Sequence, residues 1–243
     1  MIREVNVKEI TENIKEMCIE ANYTLSPDMD KAMKKAAEEE KSELGTKILN
    51  QLQENLVIAD SEKIPICQDT GMAVVFVDIG QEIHFTGGQL EEAIHEGVRQ
   101  GYTEGYLRKS VVKDPIERVN TKDNTPAIIH YNIVPGEKIK ITVAPKGFGS
   151  ENMSRIFMLK PADGIEGVKN AILTAVKDAG PNACPPMVIG VGIGGTFEKS
   201  AILAKKALTR NLEEPSEIPY VRELEKEMFC LLYTSPSPRD YAA

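Results

Sequence analysis

Cys67 opens the run Cys67-Gln68-Asp69-Thr70-Gly71, and Cys184 lies far along the chain in Asn182-Ala183-Cys184-Pro185-Pro186, each beside polar or glycine-rich backbone. Thiolates are the natural ligands of a soft iron or zinc centre, and the nearby carboxylate of Asp69 offers such a centre a proton-handling neighbour. Two cysteines in these settings point to a metal site. A surface turn with an incidental cysteine accounts for either one taken alone.

Three further runs carry groups with chemical use. Lys146-Gly147-Phe148-Gly149-Ser150-Glu151-Asn152 follows a strand-like stretch, and its glycines let backbone N–H groups come close to a ligand; a tight turn explains it equally. In Leu107-Arg108-Lys109-Ser110-Val111-Val112, Arg108 can grip a carboxylate through two hydrogen bonds, or can be an ordinary solvated charge. Gly190-Val191-Gly192-Ile193-Gly194-Gly195 matches the dinucleotide pattern G-x-G-x-x-G, and the pattern around it predicts a strand before and a helix after. The second strand with its acidic end is missing, because residues 211–219 read as a helix end and a proline-containing loop. The turn still leaves a helix N-terminus able to face an anion. His84, His95 and His130 have no ligand spacing, and His95 and His130 read as structural.

The elements that must position these groups alternate irregularly. From Val5 to about Ala59 the chain reads as helices: Ile10, Ile14, Met17 and Cys18 recur at helical spacing, Ser26-Pro27 starts a second helix, and Leu44, Ile48, Leu52 and Leu56 mark a third. Cys18 on that face is expected to fill core. Met72 to Ile79 reads as a strand, Gly80 as a break before Ile83-His84-Phe85, and Gln89 to Glu104 as a helix. Ala127 to Val134 and Lys138 to Ala144, split by Pro135-Gly136-Glu137, predict a hairpin. Gly164 to Ala179 and Phe197 to Arg210 read as helices, Met187 to Val191 as a buried strand, and Glu217 to Phe229 as a last helix. The fold class expected is α/β (mixed α+β), a helical N-terminal region followed by β-sheets with flanking helices.

A net charge of −8 without a Lys/Arg cluster argues against nucleic acid as a partner. No long apolar run or signal-like N-terminus is present, so no membrane partner and a cytoplasmic location are expected. Four cysteines in such a compartment are expected to be reduced thiols. The run from Cys230 to Asp240 has neither helical nor strand pattern, and reads as one translated frame of a transposase-inserted sequencing adapter. Residues 230–243 are therefore expected to be a non-native tail, and residues 1–228 a native domain incomplete at its C-terminus.

Taken in order, Cys67-Gln68-Asp69-Thr70-Gly71, Leu107 to Val112, Gly147 to Asn152, Ala183-Cys184-Pro185-Pro186 and Gly192-Ile193-Gly194-Gly195-Thr196 resemble one family. It is the class I, iron-sulfur-dependent fumarate hydratases and tartrate dehydratases, in their α-subunit or N-terminal half, and the likeness covers about residues 2–228. The resemblance implies a [4Fe-4S] cluster held by three cysteines, its fourth iron open to a substrate hydroxyl and carboxylate. It assigns Cys67 and Cys184 as ligands and puts the third family cysteine beyond this chain, with Cys230 too early to replace it. It also implies that Gln68 and Gly149 hydrogen-bond substrate, Arg108 pairs with a substrate carboxylate, and Asp69 supports the proton-transferring group. A β-subunit would complete the site in a hetero-oligomer acting on a small dicarboxylate. The activity implied is reversible hydration of fumarate to malate, with L(+)-tartrate dehydration as the alternative. Two readings of other classes stand beside it: a nucleotide-binding oxidoreductase using Gly190 to Gly195, and a zinc protein using Cys67 and Cys184, which lacks the usual C-x-x-C and H-x-x-x-H spacings.

Overall fold

A short strand, β1 (Arg3–Asn6), precedes the first helix, α1 (Val7–Tyr23), where the sequence predicts helix from Val5. The switch is made by Asn6, whose side-chain oxygen accepts the Lys8 N–H at 3.0 Å and so caps α1. The computed structural model describes residues 2–234. It divides into two units, Met1–Phe148 and Gly149–Ala243.

In the first unit, α2 (Pro27–Glu39) starts at Pro27 behind Ser26, and α3 (Glu43–Glu62) is capped by the Ser42 hydroxyl. Strands β2 (Met72–Gly80) and β3 (Ile83–Thr86) follow, then α4 (Leu90–Glu104), β4 (Ile128–Val134) and β5 (Ile139–Lys146). The core gathers Ile10, Ile14 and Cys18 from α1, Ala73, Val75 and Val77 from β2, and Ile94, Val98 and Tyr102 from α4. Each large apolar side chain buried there stabilises the unit by about 1.5–3 kcal/mol. Helix α1 lies close on α4 because Gly97 and Gly101 face it: a Cβ at Gly101 would sit 2.8 Å from the Cys18 Cβ and 2.9 Å from the Lys15 carbonyl oxygen.

The expected hairpin does not form. The sheet order is β4-β2-β5, with β4 parallel and β5 antiparallel to β2, so β2 separates the two strands. The cause lies in β2 itself, whose Ala73 to Val77 are all buried; a strand apolar on both faces takes the centre of a sheet. The Pro135-Gly136-Glu137 turn then arcs over the end of β2, where Gly80 N–H donates to the Lys138 carbonyl at 2.8 Å and Gln81 N–H to the Val134 carbonyl at 2.8 Å. Strand β1 pairs parallel with β3 in a separate two-stranded sheet.

The second unit is helical and thinly packed. After α5 (Phe148–Glu151) and a 3-10 turn at Pro161–Asp163 come α6 (Gly164–Ala179), a 3-10 turn at Gly180–Ala183, α7 (Phe197–Ala207) and α8 (Pro219–Thr234). Among its described residues only Ala179, Gly180, Leu224 and Met228 are buried. Ion pairs brace its surface: Lys169 to Glu227 at 2.7 Å, Arg210 to Glu225 at 2.7 Å, and Lys205 to Glu151.

Two expectations fail in this unit. Residues 187–191 form no strand, and Val188 and Ile189 are exposed rather than buried, because the flanking prolines and glycines deny the segment a ladder partner. Cys230 to Thr234 are the last residues of α8, where the sequence shows no helical pattern; the rest of that run, from Ser235, lies outside the described residues. No helix among the described residues is long and apolar enough to cross a membrane.

Candidate active site

The Cys67 loop is anchored before it reaches the thiol. Ile66 N–H donates to the Asn22 carbonyl at 2.8 Å, and the Asn55 side chain donates to the Ile66 carbonyl at 2.9 Å, which fixes the approach from α1 and α3. Beyond the thiol, the buried Tyr102 hydroxyl donates to the Thr70 carbonyl at 2.8 Å. Between these anchors Cys67 is exposed, its sulfur 3.4 Å from the Asp69 N–H that points at it and 3.5 Å from the Gln68 side-chain oxygen. The sulfur thus accepts the Asp69 N–H and faces the Gln68 side chain, so both neighbours in the motif meet it.

Asp69 joins two of the motifs. Its Oδ1 accepts the Gly71 N–H at 3.2 Å, and its Oδ2 accepts the Phe148 N–H at 3.0 Å. A Cβ at Gly147 would stand 3.0 Å from the same Oδ2, so glycine is what lets the segment approach. Gly71 has φ +65°, and a Cβ there would meet the Lys146 carbonyl at 2.3 Å, so its motif position is fixed by both conformation and space. Each carboxylate oxygen keeps a second lone pair for other work.

Arg108 is brought to this loop through its backbone, since its carbonyl accepts the Thr70 hydroxyl at 3.2 Å. Its exposed guanidinium makes no hydrogen bond or ion pair among the described residues. Cys67, Gln68, Asp69 and Arg108 thus belong to one network inside the first unit. Two of the histidines are engaged elsewhere: His95 Nδ1 accepts the Ala127 N–H at 3.3 Å, and His130 stacks on Phe76 with ring centroids 5.1 Å apart. Cys18 is fully buried, and burial pushes its thiol up to about 12, so it is an inert core group.

In the second unit the structure brings Gly149 beside the Cys184 loop, with the Asn182 carbonyl 3.9 Å from where a Cβ of Gly149 would be. Cys184 is exposed and closes the 3-10 turn in the left-handed region, φ 58°, its N–H donating to the Pro181 carbonyl at 3.2 Å. The glycine-rich turn serves packing. A Cβ at Gly190 would lie 2.2 Å from the Ala204 carbonyl and one at Gly192 2.1 Å from the Ser200 carbonyl, so both glycines let the chain lie against α7. With no strand before it, the turn lacks the context of a dinucleotide site.

The reading of the sequence misses Tyr102 and Asn124. Asn124 is fully buried and bonds both the Cys67 and the Arg108 segments. The signal available was Asn120-Thr121-Lys122-Asp123-Asn124-Thr125-Pro126, a polar run longer than a simple turn requires.

Two exposed thiols suit a soft metal centre in donor type. Among the described residues no group of three His, Cys, Asp or Glu side chains converges to hold a metal ion. Residues 11–234 match the family model described as fumarate hydratase (fumerase). The chain belongs to the fumarate hydratase family. It is 41% identical over 226 residues to a Methanocaldococcus jannaschii protein provisionally named L(+)-tartrate dehydratase subunit alpha, covering 90% of this chain and 79% of that one. It is 30% identical over 235 residues to the L(+)-tartrate dehydratase subunit alpha of Escherichia coli strain UTI89, covering 93% and 76%. The strain K12 protein of the same name is 29% identical over the same shares. Membership makes this chain a hydro-lyase, and the relatives it matches are named as α-subunits.

Proposed function

We propose that the chain is the α-subunit of a [4Fe-4S]-dependent hydro-lyase that reversibly hydrates fumarate to malate. The observation that carries this is the network joining Cys67, Gln68, Asp69 and Arg108, which puts an exposed thiol and a guanidinium without a partner among the described residues on one anchored loop system in a chain of this family. Cys67 and Cys184 would hold the cluster, with the third thiolate supplied from outside residues 1–228. When bound, the cluster supplies an open iron that acts as a Lewis acid on a hydroxyl next to a carboxylate.

The rest is the work of this chain. Arg108 pairs with one substrate carboxylate through two N–H groups, a planar fit that also fixes the substrate's rotation. Gln68 and the Gly149 backbone hydrogen-bond the substrate, and Asp69 orients the group that moves the proton. A β-subunit supplies the remaining binding and base residues, so the active form is a hetero-oligomer. Residues 230–243 are a non-native tail with no part in the chemistry.

L(+)-tartrate dehydration is the second reading, favoured by the names of the relatives. Anaerobic reconstitution of the chain and its β-partner with iron and sulfide, followed by assays on fumarate, L-malate and L(+)-tartrate, separates the two. Turnover of fumarate and L-malate supports the first reading and turnover of tartrate alone the second. A loaded, brown complex that acts on none of them overturns both, and tight retention of nicotinamide nucleotide without colour returns the oxidoreductase reading.

A further inference from the structure

Asn124 sits where three parts of the first unit meet. Its side chain is fully buried, 0% exposed, and its backbone is in the left-handed region at φ 62°, a conformation asparagine adopts more readily than most residues. Oδ1 accepts two backbone N–H groups, from Ser110 at 2.8 Å and Val111 at 3.1 Å, and Nδ2 donates to the Gly71 carbonyl at 3.1 Å. Three of the four hydrogen bonds a primary amide can make are therefore spent on main-chain groups of two motifs. One motif carries Cys67, Gln68 and Asp69, and the other carries Arg108. A buried amide that satisfies backbone groups of two loops fixes their separation, since moving either loop leaves a buried polar group unpaired.

The turn that holds Asn124 is itself built to stay in place. Asp123 Oδ1 accepts the Thr125 N–H at 3.1 Å, its Oδ2 accepts from Arg99 Nε at 3.1 Å, and Asn120 Nδ2 donates to the Lys109 carbonyl at 2.8 Å. Thr121 N–H closes the loop onto the Val111 carbonyl at 3.0 Å. None of these side chains belongs to the proposed ligand or substrate set.

We propose that Asn124 is a positioning residue that sets the distance between the Arg108 segment and the Cys67–Gly71 loop, and through it the fit of the dicarboxylate. This rests on the α-subunit reading above. It predicts that altering Asn124 loosens substrate recognition while the core stays folded.

Two variants divide the bonds. Asn124→Asp keeps the acceptor for Ser110 and Val111 but removes the donor to Gly71, and Asn124→Gly suits the left-handed backbone while removing all three bonds. Hydrogen exchange by mass spectrometry on the full chain should show faster exchange across residues 67–71 in Asn124→Asp, and across 67–71 and 108–111 in Asn124→Gly. Exchange in α4 and β2 should stay at wild-type rates. In the reconstituted complex, KM for the dicarboxylate should rise between about tenfold and a hundredfold, the scale of a misplaced binding group, with a smaller change in kcat. Unchanged exchange in both segments overturns the proposal. So does exchange that rises evenly through α4 and β2, or a fall in kcat with KM unmoved. The exchange measurement needs neither cluster nor substrate, so a wild-type complex inactive on every dicarboxylate counts against the α-subunit reading and leaves the exchange pattern to decide the role of Asn124.

Discussion

Cys67 and Cys184 are both exposed thiols, but their loops are held in different ways. The Cys67 loop is tied by the side chains of Asn55 on α3, of Tyr102 on α4, which belongs to the buried core, and of Asn124 in the turn that also holds Ser110 and Val111. The Cys184 loop is shaped by a local bond to Pro181, and among the described residues no side chain of another element bonds it. In the same unit, Ile156, Phe157, Met158 and Leu159 are all exposed. Of the two ligands proposed in this chain, one is thus pre-organised by its own unit, and the other relies on little beyond its own turn. Pre-organisation matters because a group already in place loses less entropy when its ligand binds.

The largest effects test whether both loops serve one cluster. Cys67→Ala and Cys184→Ala should each abolish retention of iron and sulfide in the reconstituted complex, followed by visible absorbance under anaerobic conditions. Cys18→Ala should retain the colour, because that thiol is buried and held protonated. Equal loss in all three would show that instability, not ligation, was being measured.

Asp69→Ala comes next. It strips the acceptor from the Gly71 and Phe148 N–H groups and detaches the segment that approaches through Gly147. A fall in kcat/KM on the order of a hundredfold is expected in steady-state assays, the scale for lost positioning. Wild-type kinetics in this variant would mean that the order built into the Cys67 loop has no catalytic use.

How far these features were readable follows from whether their causes are local. Helix α1 shows in the spacing of Ile10, Ile14 and Cys18, and β2 in its apolar run, because periodicity and burial on both faces are written into consecutive residues. Strand β1 has four residues with one buried, too few to show a period. The hairpin reading failed because the partner of β4 and β5 is a strand 54 to 74 residues earlier in the chain, and no turn signal carries that information. Cys67, Asp69 and Arg108 stood out by residue chemistry, a family likeness gave them and Gln68 their roles, and the structure adds the bonds that join them. Asn124 was missed for a physical reason: a polar run of Asn, Asp and Thr normally faces water, and only the fold shows that this amide is buried between two loops.

A smaller effect probes the packing beneath the ordered loop. Gly101→Ala puts a methyl within 2.8 Å of the Cys18 Cβ and should destabilise the first unit by about 1–3 kcal/mol, read by denaturant titration. Amides of α1 and α4 should exchange faster while those of α6 and α7 do not. A matching rise in α6 and α7 would remove the contrast between the two units.

The smallest effect lies at the turn that carries Asn124. Burial alone would raise the Asp123 carboxyl, but bonds from Thr125, Arg99 and Thr121 outweigh it and hold the group at about 2, against an ordinary 3.8. A carboxyl depressed in the folded state contributes stability that is complete above its unfolded value and is lost as pH falls from there toward about 2. Asp123 and Arg99 are partly exposed, so solvent screening keeps the contribution below about 1 kcal/mol. Asp123→Asn should therefore lower the thermal midpoint slightly at neutral pH, and the gap from wild type should close as the pH is lowered through that window. A gap that persists under acid would mean that the turn is held by the neutral bonds of its threonines rather than by the carboxylate, and that the ordered loop owes nothing to this charge.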